Sequence, residues 1–291
     1  MATRRRRSLR HPPLVSCLMV AKPTASRFRL FARSLRGYLA QTHPNRELII
    51  VMSHLSRRDR RTAVRYVGQL GRPDIQPTYV AGNPSLGRLR NISIAIATGG
   101  LCCQWDDDDI YHPRRLEVQL REMRRARRGG VFQQTLLHFF ERTRELYVQD
   151  WGLVPPPDNC HPGTGLWVRD VGIRYPVRGA DARKREDLAF MVRHRERHGH
   201  LRLRSHPHLY VYTYSGTNTW VRSHHQLLAS RLAPSRAVML GIRADLERDL
   251  EALELPRGPI RVMSSEGLAF EWRKRRGGHT SADDGVRGER A

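Results

Sequence analysis

Apolar residues in the first hundred positions follow two alternating patterns. Leu14–Val20, ELIIVMS (47–53) and Ile75–Val80 are short continuous runs, as in strands buried on both faces of a parallel sheet. Between and after them, apolar side chains recur at helical spacing. These are Phe28, Phe31, Leu35, Tyr38 and Leu39, then Ala63, Val64, Val67 and Leu70, then Leu89, Ile92 and Ile96 on one face, ended by Gly99 and Gly100. A fourth apolar run, Leu101 to Trp105, follows. This alternation predicts a doubly wound, largely parallel α/β sheet.

The second half reads differently. GVFQQTLLHFF (130–140) and ELYVQDW (145–151) predict an antiparallel pair, and a loop rich in proline and glycine leads to a strand at 164–169. Glu186 to His198 is a predicted helix with Leu188, Met191 and Val192 apolar, and LYVYTY (209–214) a strand leading into another helix. Leu246, Leu250 and Leu253 predict one more helix. PIRVMS and GLAFEW (259–272) predict a terminal hairpin turning at Ser265–Glu266. The boundaries drawn are a basic disordered arm over 1–13, a main domain over 14–230, a helix and hairpin extension over 231–272, and a disordered tail over 273–291.

The run at Leu101 ends in four aspartates, Asp106 to Asp109, and Pro113 then leads into a helix with Leu116, Leu120 and Met123 on one face. Ligands of open α/β sheets bind at the C-terminal ends of strands, where this cluster falls. Adjacent carboxylates repel, and a hard divalent cation such as Mg²⁺ or Mn²⁺, bridging one or two of them to substrate phosphates, relieves the repulsion. The competing reading is an acidic cap on the following helix.

Composition adds charge. The 291 residues carry a formal net charge of +24, and of the 52 basic residues only Lys22, Lys184 and Lys274 are lysine. Such a field attracts nucleic acid, anionic membrane surface or phosphorylated substrates. The arginines are spread along the whole chain, which favours a general arginine bias, and no helix-turn-helix, zinc spacing or aromatic RNA-binding motif is present. No specific nucleic-acid partner is expected; peripheral contact with an anionic membrane face is. Cys17, Cys102, Cys103 and Cys160 lack C-x-x-C spacing, so reduced thiols in a cytoplasmic protein are expected. MATRRRRSLRHPP before LVSCLMVA is similar to a signal peptide, but the apolar stretch is short and is read as the first core strand.

Five segments, in order, resemble family 2 glycosyltransferases of the GT-A fold: LAQTHPNRELIIV, LGRLRNISIAIATGG, QWDDDDIYHPRRLE, residues 183–187 (RKRED) and YSGTNTWVRSHH. The resemblance spans roughly residues 14–230. It implies inverting transfer of a sugar from a nucleotide diphosphate donor to a hydroxyl acceptor, carbohydrate or other, with Mn²⁺ or Mg²⁺. Asp106 and Asp108 match the metal-binding D-x-D, with Asp108 in more direct contact. Asp107 falls near the donor ribose, Arg90 near the donor nucleotide, and Asp109 caps the next helix. Asp187 matches the catalytic base and Glu186 lies toward the acceptor. His224 or His225 supplies a further metal ligand.

Two positions depart from the family pattern, both in the donor subsite. The turn after the first strand is Ala21-Lys22-Pro23, where the family usually has Thr and Asn. After the second strand, Met52-Ser53-His54 replaces an acidic pair. Ala21 and Ser53 therefore mark a donor subsite with altered nucleotide preference. A catalytically silent module of the same fold, and a nonspecific nucleic-acid binder, are the alternative readings.

Overall fold

The computed structural model describes residues 12–157, 159–218 and 220–275. The arm expected over 1–13 lies outside these residues up to position 11, and the tail expected over 273–291 lies outside them from position 276. The first half alternates as predicted: β1 (Val15–Ala21), α1 (Phe28–Leu39), β2 (Arg46–Met52), α2 (Arg57–Gln69), β3 (Ile75–Tyr79), α3 (Leu86–Ile96) and β4 (Leu101–Gln104). Next come β5 (Ile110–Tyr111), α4 (Arg115–Arg125), β6 (Gly130–Gln133), β7 (Thr135–Phe140), β8 (Glu145–Asp150) and β9 (Leu166–Val168). The chain continues through α5 (Asp181–Lys184), α6 (Glu186–His198), β10 (His200–Leu203), β11 (Tyr210–Tyr214) and α7 (Arg222–Leu232). It closes with α8 (Arg236–Gly241), α9 (Arg243–Leu250), β12 (Ile260–Ser264) and β13 (Gly267–Trp272).

Two sheets result. The first has the order β10-β6-β9-β4-β1-β2-β3, parallel except for β9, which runs against both β4 and β6. The second has the order β13-β12-β8-β7-β11-β5 and mixes parallel with antiparallel pairs. The core packs one face of α1 (Phe31, Leu35, Tyr38) with Cys17, Met19, Leu48, Ile50 and Trp105. Full burial of each such apolar side chain is worth roughly 1.5–3 kcal/mol. A second core gathers Met239, Leu246, Leu250, Ile260, Phe270 and Trp272 against Leu137, Phe139 and Leu146, so the terminal hairpin completes the second sheet. Among the described residues no helix is long and apolar enough to cross a membrane.

Three details differ from the sequence expectations. The strand expected over 130–140 is two strands in different sheets. The chain changes sheet at Gln133 and Gln134, both buried, where Gln133 Nε2 donates to the His206 carbonyl (2.9 Å) and Gln134 N to that of Leu203 (2.8 Å). Pro113 precedes the N-cap Arg114 of α4 instead of lying in its first turn. Helix α3 ends at Ala97, and Gly99 serves close approach: a Cβ there would lie 2.7 Å from the Leu14 carbonyl oxygen.

Candidate active site

Strand β4 lies inside the first sheet, between β1 and β9, so its C-terminal end has one outlet, into Trp105 and the four aspartates. The backbone there is fixed from α1. Ser34 Oγ donates to the Asp106 carbonyl (2.8 Å) and Arg33 Nη2 to that of Asp108 (2.6 Å). The Tyr111 hydroxyl accepts from Asp106 N (2.6 Å) and donates to its carbonyl (3.0 Å), while its ring stacks on Trp105 at 3.9 Å.

The four carboxylates have separate surroundings. Asp106 accepts from Gln104 Nε2 (2.8 Å), and burial raises its pKa against the opposing field of Arg90. Asp107 accepts from Lys22 N (3.0 Å) and pairs with Arg27 Nη2 (2.8 Å). Asp108 shares that guanidinium nitrogen at 3.1 Å and accepts from Asn218 Nδ2 at 3.3 Å. Burial, then the Asp107 charge, pushes Asp108 up to about 7. Asp109 does not cap α4. It accepts from the Tyr210 hydroxyl and from Thr213 N (2.7 Å), anchoring β11. It is a structural member of the cluster.

Arg90 joins this cluster to α6. Its Nη1 pairs with Glu186 Oε1 at 2.6 Å and lies 3.8 Å from Asp187 Oδ2, and its guanidinium covers the Tyr175 ring at 5.3 Å. Asp106, Glu186 and Asp187 all act on it electrostatically and hold it protonated against its burial. Glu186 is the enclosed acid, its side chain 6% exposed, and burial raises its pKa. Asp187 is 37% exposed, and its Oδ1 accepts from Leu188 N (2.8 Å). The more open carboxylate of the pair is therefore Asp187.

The remaining expected residues are placed as follows. Ala21 is buried at the end of β1, and Ser53 is buried with its hydroxyl donating to the Val80 carbonyl (3.1 Å). His54, exposed at φ 56°, hydrogen-bonds Asn83. His224 stacks on Trp220 at 4.4 Å. His225 turns into the interior, where its Nδ1 lies 3.2 Å from His138 Nε2. A third histidine, His161, has its ring 4.8 Å from that of Tyr212, and it lies within the field of Asp187. Two cavities, of about 340 and 590 Å³, flank α6 at Leu188 and Val192 and α3 at Asn91 and Ile92; Asp106 to Asp109 line neither.

Among the described residues no three His, Cys, Asp or Glu side chains form a closed metal cage. The donor set nevertheless fits a hard cation. It is all carboxylate oxygen, and the side-chain donors on the two are few: Gln104 on Asp106, and Arg27 with Asn218 on Asp108. Magnesium is bound in this way, by one or two carboxylates with substrate phosphates completing the shell.

Residues 21–204 match the model of glycosyl transferase family 2. The chain belongs to that family. A putative colanic acid biosynthesis glycosyl transferase of Escherichia coli K12, WcaA, is 33% identical over 114 residues, 38% of each chain, so well under half of that relative is matched. Among solved structures, S. aureus TarS 1–349 in complex with UDP-GlcNAc superposes with a TM-score of 0.52 at 12% identity, over 83% of this chain and 68% of that one. The mannosyltransferase PcManGT of Pyrobaculum calidifontis, with GDP-Man and Mn²⁺, gives a TM-score of 0.52 at 13% identity, over 76% and 64%. These likenesses carry the GT-A fold for this family 2 chain. Sequence reasoning missed Arg27, Asn218 and His161, which join the site only through topology, and Tyr111, which lies within QWDDDDIYHPRRLE but carries no carboxylate. The nearest signal was the YSGTNTWVRSHH segment, which contains Asn218.

Proposed function

We propose that this family 2 chain is an inverting, divalent-cation-dependent glycosyltransferase using a nucleoside-diphosphate sugar. The observation that supports the reading is Arg90, which pairs with Glu186, lies 3.8 Å from Asp187 and is within the field of Asp106, residues far apart in sequence. Asp106 and Asp108 would hold Mn²⁺ or Mg²⁺ with the diphosphate, and the ion, when bound, neutralises charge developing on the leaving group. The neighbours crystallised with UDP-GlcNAc or with GDP-Man and Mn²⁺ support this donor class.

Asp187 accepts the proton of the acceptor hydroxyl as its oxygen attacks the anomeric carbon, the bond to the diphosphate breaks, and the nucleoside diphosphate departs. One displacement inverts the centre. Glu186, buried against Arg90, holds the first turn of α6 in place. The acceptor, whether carbohydrate or another hydroxyl compound, approaches on the side of Asp187 that is open. Asp107 and Arg90 serve the donor, and the backbone around Ala21 and Ser53 forms its nucleotide edge. With no acid at Ser53 or His54, base preference differs from that of UDP-sugar enzymes with an acidic pair there. His224 is stacked on Trp220, so Asp106 and Asp108 alone are proposed as metal ligands, and contact with an anionic membrane face follows from the charge.

A thermal-shift screen of nucleotide sugars with and without Mn²⁺ tests the reading, since a true donor stabilises the folded state by mass action. The expected result is a Mn²⁺-dependent shift with one donor class, followed by transfer with inverted configuration by NMR. A shift without transfer to any acceptor or water would mark a silent module.

A further inference from the structure

The side chain of Arg27 touches two parts of the site, the aspartates and the segment before α7. Nη2 bridges Asp107 Oδ1 (2.8 Å) and Asp108 Oδ2 (3.1 Å), while Nη1 donates to the carbonyl (3.0 Å) and hydroxyl (2.8 Å) of Thr217. The segment so held, 215–218, is a compact turn. Asn218 Oδ1 accepts from Ser215 N (2.9 Å), and Asn218 Nδ2 donates to the Thr213 carbonyl (2.9 Å) and to the same Asp108 oxygen that Arg27 engages (3.3 Å). That oxygen thus spends its acceptor capacity on a guanidinium and an amide. The arrangement leaves Arg27 Nε buried without a hydrogen-bond partner, so this position does not satisfy the side chain fully.

We propose that Arg27 is a clasp. It stands in for the cation at Asp108, and together with Asn218 it holds segment 215–218 at that carboxylate until a divalent cation takes it. Guanidinium and metal compete for that carboxylate, so each weakens the other by the same factor. A cation on Asp108 takes the oxygen that both Arg27 Nη2 and Asn218 Nδ2 share, so both tethers of the segment to that carboxylate loosen together and cation entry is coupled to opening of the segment. The proposal rests on the metal site of the proposed function.

The test is Mn²⁺ affinity by calorimetry at pH 8.5, to limit proton competition, together with amide hydrogen exchange of the peptide 213–221. Wild type, Arg27→Ala and Arg27→Lys are compared, the lysine variant covering failure of the alanine variant to fold. Arg27→Ala is expected to bind Mn²⁺ roughly tenfold tighter, the scale of one lost charge-assisted hydrogen bond. Its 213–221 amides should exchange faster without metal and gain little when Mn²⁺ is added. Wild type should show faster exchange there only with Mn²⁺. Lysine retains the charge but not the fork, so exchange should rise as in alanine with a smaller gain in affinity. Equal or weaker Mn²⁺ binding in both variants, or unchanged exchange, overturns the clasp and leaves the metal site standing. Absence of Mn²⁺ binding in every protein overturns the metal site and the clasp with it.

Discussion

Asp187→Asn keeps the size of the side chain and removes its basicity. Glycosyl transfer should fall by roughly 10²-fold or more, the usual scale for loss of a general base, while donor binding by calorimetry stays within a few-fold of wild type. Near-normal turnover would contradict the role, and loss of donor affinity would move Asp187 to the donor side. Arg90 is a separate case. Its pair with Glu186 is buried on both sides, 11% and 6% exposed, so Arg90→Ala strands a carboxylate in a poor solvent. About 3–5 kcal/mol of stability should be lost in urea unfolding, in addition to any loss of activity. Asp187 and Glu186 were legible in the sequence as an acidic pair at a helix start. Which of them is open was not, because Arg90 comes from a helix about a hundred residues earlier.

Elements were legible where hydrophobic period and length agreed. The first three strands, their helices, the helix from Glu186 and the terminal hairpin all appear as their patterns predict. The strand at 130–140 did not, since apolar residues on both sides of Gln133-Gln134 read as one strand; the crossing shows only in the distant carbonyls to which Gln133 Nε2 and Gln134 N donate. Likewise Gly99 reads as a helix stop but acts by close approach. Gly87, in the first turn of α3, is a further case that composition hides. A Cβ at this position would lie 2.3 Å from the Pro176 carbonyl oxygen, in the segment that Asn91 ties down through both its amide atoms. Gly87→Ala should therefore push 175–176 from α3 and cost about 1–3 kcal/mol, read as a lower urea midpoint. An unchanged midpoint would show that the segment yields freely.

Across the whole molecule, charge and burial set the response to pH. Burial holds His225 and His208 down to about 4, His200 to about 3, and His138 well below its usual range. Between about pH 6.5 and 4 the unfolded chain takes up protons at these sites that the folded chain refuses, so stability rises with pH through that window. These rings lower the melting temperature from pH 7 to pH 4, against the opposite contribution of the raised carboxyls of Asp106, Asp108 and Glu186, and ring NMR signals of these histidines that titrate at about pH 6.5 in the folded chain would contradict their burial in neutral form. Arg90 lies 3.8 Å from Asp187 and within the field of Asp106, and there, on the function proposed above, a nucleoside diphosphate binds through a divalent cation. The direct measurement is calorimetric titration with UDP and GDP, in Mn²⁺ and in EDTA, of wild type and Asp108→Ala. Wild type in Mn²⁺ should bind at least one of the two, and binding should be weaker by about an order of magnitude or more in EDTA or in the variant. Equal affinity in all conditions would contradict it.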